Sequence, residues 1–444
     1  MDLGPRDREI IANVWTSTVP WLTCLELVER FPNRYGGHVH EPAARDFIAE
    51  RFRHFGLTVT LEEFPCHHWH PGRAGLHAVP DGRALVPIPC LNLPMNGTAT
   101  IEAEVVWLEE GTQAQYASLG SRIRDRVVLV NSRCPAYSHR PRTCRREKYL
   151  QAVDGGAAGF IYMRHEGGLL PEVYSLSSDG PAPVPGVSVT REAGSALLRY
   201  VRRGAAVRLD LENQITPGVS WNIIADLPGP PDAPVILVGA NYDTLVGCPG
   251  AIDDASGVAV LLEAARVLSP HRDALRKTIR FVGFGLEEGG LQGAKAYIAA
   301  HREDLSGVEF MLNADGAAYG APEKGVGLQG WPMLIPYFKG LVAAMGEEMP
   351  VDVWVTPNSD MHPFMVAGVP CAWFFDMGMS LANLGWPHTA ADTLDKVSPR
   401  GLRITALQLA RLLLYMAATP MPAVTRSRQE VDRWLAEWNL TPRI

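Results

Sequence analysis

Val235-Ile-Leu-Val-Gly-Ala240, followed by Asn241-Tyr242-Asp243-Thr244, decides how this chain is read. Six residues without a polar interruption, stopped by a polar turn, match a strand buried on both faces. Three further runs of this kind stand at 278–284, 308–313 and 371–375, with helical spacing at 257–268, 292–301, 333–345 and 402–416. Buried strands interleaved with helices predict an α/β fold, a mixed, mostly parallel sheet sandwiched by helices. In such sheets the chemistry sits just beyond the carboxyl ends of the strands.

Every one of those ends leads to carboxylates or an imidazole. Asn241 and Asp243 close the first run, and Asp253-Asp254 follows in the connection to the next helix. Taken alone, an Asp-Asp pair before Ser256-Gly257 reads as a helix cap with acidic first-turn residues. The second run ends in Gly285-Leu286-Glu287-Glu288-Gly289-Gly290, the third in Asn313-Ala314-Asp315-Gly316, and the fourth leads to Gly385-Trp386-Pro387-His388-Thr389. Each motif by itself has a plain structural reading, a solvated acidic pair or a packed histidine. Together, oxygen and imidazole donors at all four strand ends suit a divalent metal such as zinc, which activates water for attack on a carbonyl.

Outward from this core, 41–55 has helical spacing and 57–64 alternates as a strand. Residues 65–97, rich in Pro, Gly and His, read as an irregular connection, and 98–211 as a compact inserted domain of alternating strands and helices. The core is then expected to comprise 1–64 and 212–422, with a tail helix in 423–444. With 444 residues, 47% hydrophobic, and a net charge of -7, the chain has material for a large core and no broad basic face for nucleic acid. No segment has the ~20 apolar residues of a membrane helix, and the first residues lack a signal-peptide pattern, so a cytoplasmic protein is expected. Seven scattered cysteines argue against a disulfide framework. His67, His68 and His70 lack the spacing of a metal tract. Gly325-Val-Gly-Leu-Gln-Gly330 lacks the strand-turn-helix context of a dinucleotide fingerprint.

The order of these motifs resembles the co-catalytic zinc aminopeptidases, metallopeptidase family 28, whose pattern runs H-x-D, G-x-x-D-D-x-S-G, E-E, N-x-D and Y-H-T. Here it stands as Asn241-Tyr242-Asp243, Gly250 to Gly257, Glu287-Glu288, Asn313-Ala314-Asp315 and Pro387-His388-Thr389. The resemblance implies the zinc-exopeptidase, phosphorylase/hydrolase-like fold and a metal-dependent exopeptidase or small amide hydrolase. By the same likeness Asp253 would bridge two metals, Glu288 and His388 would complete one site, and Asp315 with residue 241 the other. Glu287 would be the general base, taking the proton of a metal-activated water that attacks the scissile carbonyl. Asp360, in Asn358-Ser-Asp-Met-His-Pro-Phe364, resembles a family segment near the substrate pocket, and Trp386 and Phe375 are candidates for an apolar pocket wall. The inserted domain is similar to a protease-associated (PA) domain through 127–131, 149–159 and 184–189.

Two departures matter. Asn241 replaces the family's first histidine ligand, leaving an oxygen-only set that is weak for zinc. Asp243, which in the family orients that histidine, is then free for another task and is counted with Glu287 among the catalytic candidates. One tight zinc is therefore expected, with a second site weak, empty or occupied by manganese or magnesium. Pro387 replaces a tyrosine whose hydroxyl holds the oxyanion; Tyr242 and Tyr319 are conceivable substitutes, each more readily explained structurally. The expected partner is a peptide or an acylated small-molecule substrate, with no nucleic acid and no membrane, and a homo-oligomer is compatible with this. Two alternatives stay open: a mono-zinc, glutaminyl-cyclase-like acyl transferase, and a catalytically silent binding homologue.

Overall fold

Four neighbouring parallel strands, in the order Cys371–Asp376, Val308–Asn313, Val235–Asn241 and Thr278–Phe284, form the middle of a ten-stranded sheet. These are the four apolar runs, extended by one residue at Asn241 and Asp376. The computed structural model describes residues 3–81, 84–133, 145–178, 180–316, 324–376, 385–424, 427–438 and 440.

Antiparallel strands flank the parallel block. On one side Lys324–Leu328 pairs with Cys371–Asp376 and carries Val351–Val353; on the other Ala206–Leu227 pairs with Thr278–Phe284. The glycine-rich 325–330 stretch thus begins as a strand. Its glycines answer to packing, since a Cβ at Gly327 would stand 2.9 Å from the Phe375 ring. Gly257–Leu268 is buried at every residue except Arg266. It packs against Pro399–Ala418 and Val19–Arg30, covering one face of the sheet. Each large aliphatic side chain so buried contributes about 1.5–3 kcal/mol.

The expectation of an irregular 65–97 is corrected. Thr58–Val79 is one continuous strand, antiparallel to Ala206–Leu227 from Thr58↔Asp226 to Val79↔Ala206, with a shift between Pro71 and Ala74. Short strands follow at Val86–Ile88 and Leu91–Asn92. At ~3.3 Å per residue such a strand reaches ~70 Å, so it stays in the ten-stranded sheet but runs on until Leu76 and Ala78 pack against Val127, Leu129 and Ile161 of a second sheet. Its environment changes along the way, with a mostly exposed middle at 70–73, so no single period marks it. The boundary placed between 211 and 212 likewise falls inside a strand. His67, His68 and His70 sit on this ribbon, His68 Nε2 meeting the Val219 carbonyl at 2.9 Å and His70 Nε2 the Thr216 hydroxyl at 3.2 Å.

The second layer is a five-stranded sheet in the order Leu91–Asn92, Gly186–Val189, Gly159–Met163, Val127–Asn131 and Val105–Trp107, with helices Arg145–Asp154 and Arg191–Val201. At the carboxyl end, Arg428–Glu437 docks through Trp434, whose ring centre lies 4.7 Å from that of Trp331. Among the described residues no helix is long and apolar enough to cross a membrane. Cys24, Cys66, Cys90, Cys248 and Cys371 are free thiols, and Cys134 and Cys144 lie outside the described residues.

Candidate metal centre

Asp253, Glu288 and His388 each place one ligand atom within 4.8 Å of the others'. His388 Nε2 stands 3.1 Å from Asp253 Oδ2 and 3.4 Å from Glu288 Oε2. The three come from three separate connections, after Val235–Asn241, after Thr278–Phe284 and after Cys371–Asp376, which only the parallel register brings together.

Each loop is held by buried polar contacts. Asp392 accepts the amides of Ile252 at 2.8 Å and Asp253 at 3.1 Å, fixing the loop that presents Asp253. Asp254 turns the other way and accepts the amides of Gly257 at 2.9 Å and Gly316 at 3.0 Å, tying this loop to the one after Val308–Asn313. Gly257 has to be glycine, because a Cβ there would stand 2.3 Å from Asp254 Oδ2 and 2.4 Å from the Ala314 carbonyl. Arg34, wholly buried, donates to the carbonyls of Tyr242 at 2.9 Å and Gly250 at 3.1 Å, clamping the strand end to the Asp253 loop.

The task of Asp243 is visible here. Its two carboxylate oxygens accept the backbone amides of Glu287 at 3.1 Å and Glu288 at 3.2 Å. Leu286, in the left-handed region at φ 51°, makes the turn sharp, and Asp243 holds it shut. Asn241 is fully buried; its amide nitrogen lies 3.5 Å from Asp243 Oδ1, and its Oδ1 has no hydrogen-bond partner among the described residues. Asp315 accepts the Ser359 hydroxyl at Oδ2 and the Trp373 indole N–H at its carbonyl, 2.9 Å away.

The remaining expected site residues are placed as follows. Asp360 is fully buried with both oxygens unpartnered among the described residues. Phe375 shares a strand face with Trp373 and stacks on it at 5.2 Å, with the Trp354 ring centre 5.7 Å away, so it is placed as a packing residue. Trp386 is part of the His388 turn, with the Lys396 ammonium 5.1 Å from its ring centre. Tyr242 donates its hydroxyl to the Trp221 carbonyl at 3.0 Å and so serves the sheet, not an oxyanion. Tyr319 lies outside the described residues.

The electrostatics call for a cation. Burial raises Asp243 and Asp315 to about 7, the charge of Asp253 adding to the effect at Asp315. Burial, then Asp315 and Asp360, push Glu287 well above the ordinary carboxylate range; burial and Asp253 do the same to Glu288. Carboxylates this crowded hold their protons until a positive charge joins them. Two carboxylates and one imidazole are a donor set that fits zinc. Sequence reading missed Asp392, Asp254, Ser359 and Arg34 as supports. The acids stood in the motifs, but nothing along the chain says which amides a carboxylate will meet.

A parallel sheet that gathers acids and one imidazole at its strand ends is suited to holding a metal ion that activates water. The sequence comparison points to a family: residues 222–413 match the model of peptidase family M28. Aminopeptidase YwaD of Bacillus subtilis is 30% identical over 58% of this chain and 56% of its own length. A probable leucine aminopeptidase 2 of Aspergillus fumigatus is 23% identical over 64% of this chain and 55% of its own. The chain thus spans about half the length of these curated relatives. A peptidase M28 precursor from Shewanella amazonensis superposes with a TM-score of 0.76 at 20% identity, over 94% of this chain and 98% of that one. BSAP, a zinc aminopeptidase from Bacillus subtilis, gives 0.68 at 24% identity over 92% and 97%. At these identities the two structures speak to the fold.

Proposed function

We propose that the protein is a zinc-dependent aminopeptidase, hydrolysing the amide bond next to the free amine of a peptide or related small molecule. The observation that carries this reading is the meeting of Asp253, Glu288 and His388 at one point. Zinc bound there would supply Lewis acidity, polarising the scissile carbonyl and acidifying water. Glu287, on the same turn as Glu288 and with a raised proton affinity, takes the proton from the attacking water and returns it to the leaving amine. Asp243 holds both glutamates in place through their amides, and Asp392 does so for Asp253.

Asn241 Oδ1, buried without a partner, and Asp315 would hold a second, harder ion such as manganese or magnesium more weakly than zinc at the first site. The second sheet is read as a protease-associated domain. A panel of aminoacyl-nitroanilides and amino-terminal Gln peptides, with and without added zinc or manganese, tests the proposal. Release of nitroaniline that is lost in Glu287→Gln supports it. Cyclisation of Gln peptides without nitroanilide hydrolysis would establish the acyl-transfer alternative, and metal binding without turnover on any substrate a binding role.

A further inference from the structure

His388 faces two ways. Its Nε2 points to Asp253 and Glu288, while its Nδ1 points out of the core sheet, into the second layer. There Nδ1 lies 2.9 Å from the Val173 carbonyl oxygen, and the Val173 amide donates back to the His388 carbonyl at 2.8 Å. Arg145 Nη1 also reaches Nδ1, and Arg145 is paired with Glu172 at 3.0 Å. Three residues earlier, Arg164 donates to the Gly385 carbonyl. Residues 145, 164, 172 and 173 all belong to the segment inserted between the two halves of the peptidase core. His388 itself is held at φ 62°, a left-handed conformation that a non-glycine residue keeps only when its surroundings impose it.

We propose that the inserted layer is part of the metal centre, and that Val173, braced by the Arg145–Glu172 pair, is the positioning element that orients His388 for metal. The proposal rests on the metal reading given above. An imidazole that binds a cation through Nε2 must carry its proton on Nδ1, and that proton needs an acceptor. The Val173 carbonyl is that acceptor, and the returning amide bond keeps the backbone of His388 in its left-handed turn. Arg145 Nη1 can only donate, so its contact with Nδ1 belongs to the other tautomer; with Nδ1–H turned to Val173, Arg145 acts through Glu172, holding the 172–173 segment against the catalytic loop. Metal affinity therefore depends on the docking of a layer that supplies no ligand, and displacement of this layer would loosen the ion.

The test is the zinc dissociation constant of the full chain, by competition with a chromophoric chelator. Val173→Pro removes the returning amide, Arg145→Ala and Glu172→Gln remove the brace, and Arg202→Ala is an exposed control in the same layer. The proposal expects tenfold to hundredfold weaker zinc in the first three, partial recovery in Arg145→Lys, and no change in the control. Circular dichroism checks that each variant folds; if Val173→Pro does not, the brace variants decide. Parent-like zinc affinity in folded Arg145→Ala and Glu172→Gln would overturn the proposal while leaving the metal reading intact. A parent protein that fails to hold zinc would overturn the metal reading itself.

Discussion

Asp243 offers the sharpest perturbation, because both of its oxygens are committed to the turn that carries Glu287 and Glu288. In Asp243→Asn one acceptor becomes an NH2 group facing a backbone N–H, so one buried amide loses its partner. An unsatisfied buried donor costs about 1–3 kcal/mol. Asp243→Ala strands both amides and is expected to cost about twice that, a large share of the roughly 5–15 kcal/mol that holds a typical domain. The catalytic effect is larger in proportion. A turn released by about 1 Å moves the base and one ligand together, and such a misplacement costs about a hundredfold in rate. Denaturant unfolding and kcat on an aminoacyl-nitroanilide measure the two effects. They are best read at about pH 8.5, above the value of about 7 to which burial raises Asp243, where both oxygens accept. Asp243→Asn with parent-like stability and parent-like kcat would refute the assignment, since it would mean that the two amides find other partners.

Three further outcomes are expected. Asn241→His replaces a buried amide oxygen by an imidazole nitrogen, so dialysed protein should rise from one zinc per chain towards two by metal analysis; an unchanged content would count against residue 241 as a ligand. Asp392→Ala removes the acceptor of the Ile252 and Asp253 amides and should weaken zinc by about tenfold or more in chelator competition; parent-like affinity would deny it a positioning role. His362, 2% exposed and next to a buried Asp360, is lowered to about 4 by burial and by Arg146 and Lys295. Below the ordinary 6.5 the unfolded chain takes a proton that the folded chain refuses, so stability should fall between pH 6.5 and 4, by up to about 3 kcal/mol from this group. His362→Gln should flatten that part of the melting-temperature profile, and an identical slope in parent and variant would refute it.

The ease of reading differed from element to element for physical reasons. The four central strands were legible because a strand covered on both faces is a short uninterrupted apolar run, and Gly257–Leu268 because its burial leaves almost no polar position. Thr58–Val79 was not, since a ribbon that runs from the core out through an exposed stretch to a second sheet changes surroundings every few residues and shows no period. Asp253, Glu288 and His388 could be named from motif order, and the structure brings these three together. The carboxylates that hold them could not be assigned. Asp243, Asp254 and Asp392 act on amides 44, 62 and 139 residues away.

By itself, then, the sequence determined the four central strands, the end of the sheet at which chemistry would collect, and the donor types gathered there. It also flagged position 241, where an amide stands in place of an imidazole. The tertiary structure decided what those donors face. A carboxylate is a ligand, a base or a brace according to the atoms a few ångströms away, and in Asp243 that choice fell to the brace. It decided too that the inserted layer reaches back to Nδ1 of His388. Spacing along a chain fixes which side chains share an element; only the packing of separate elements fixes which of them share a proton or an ion.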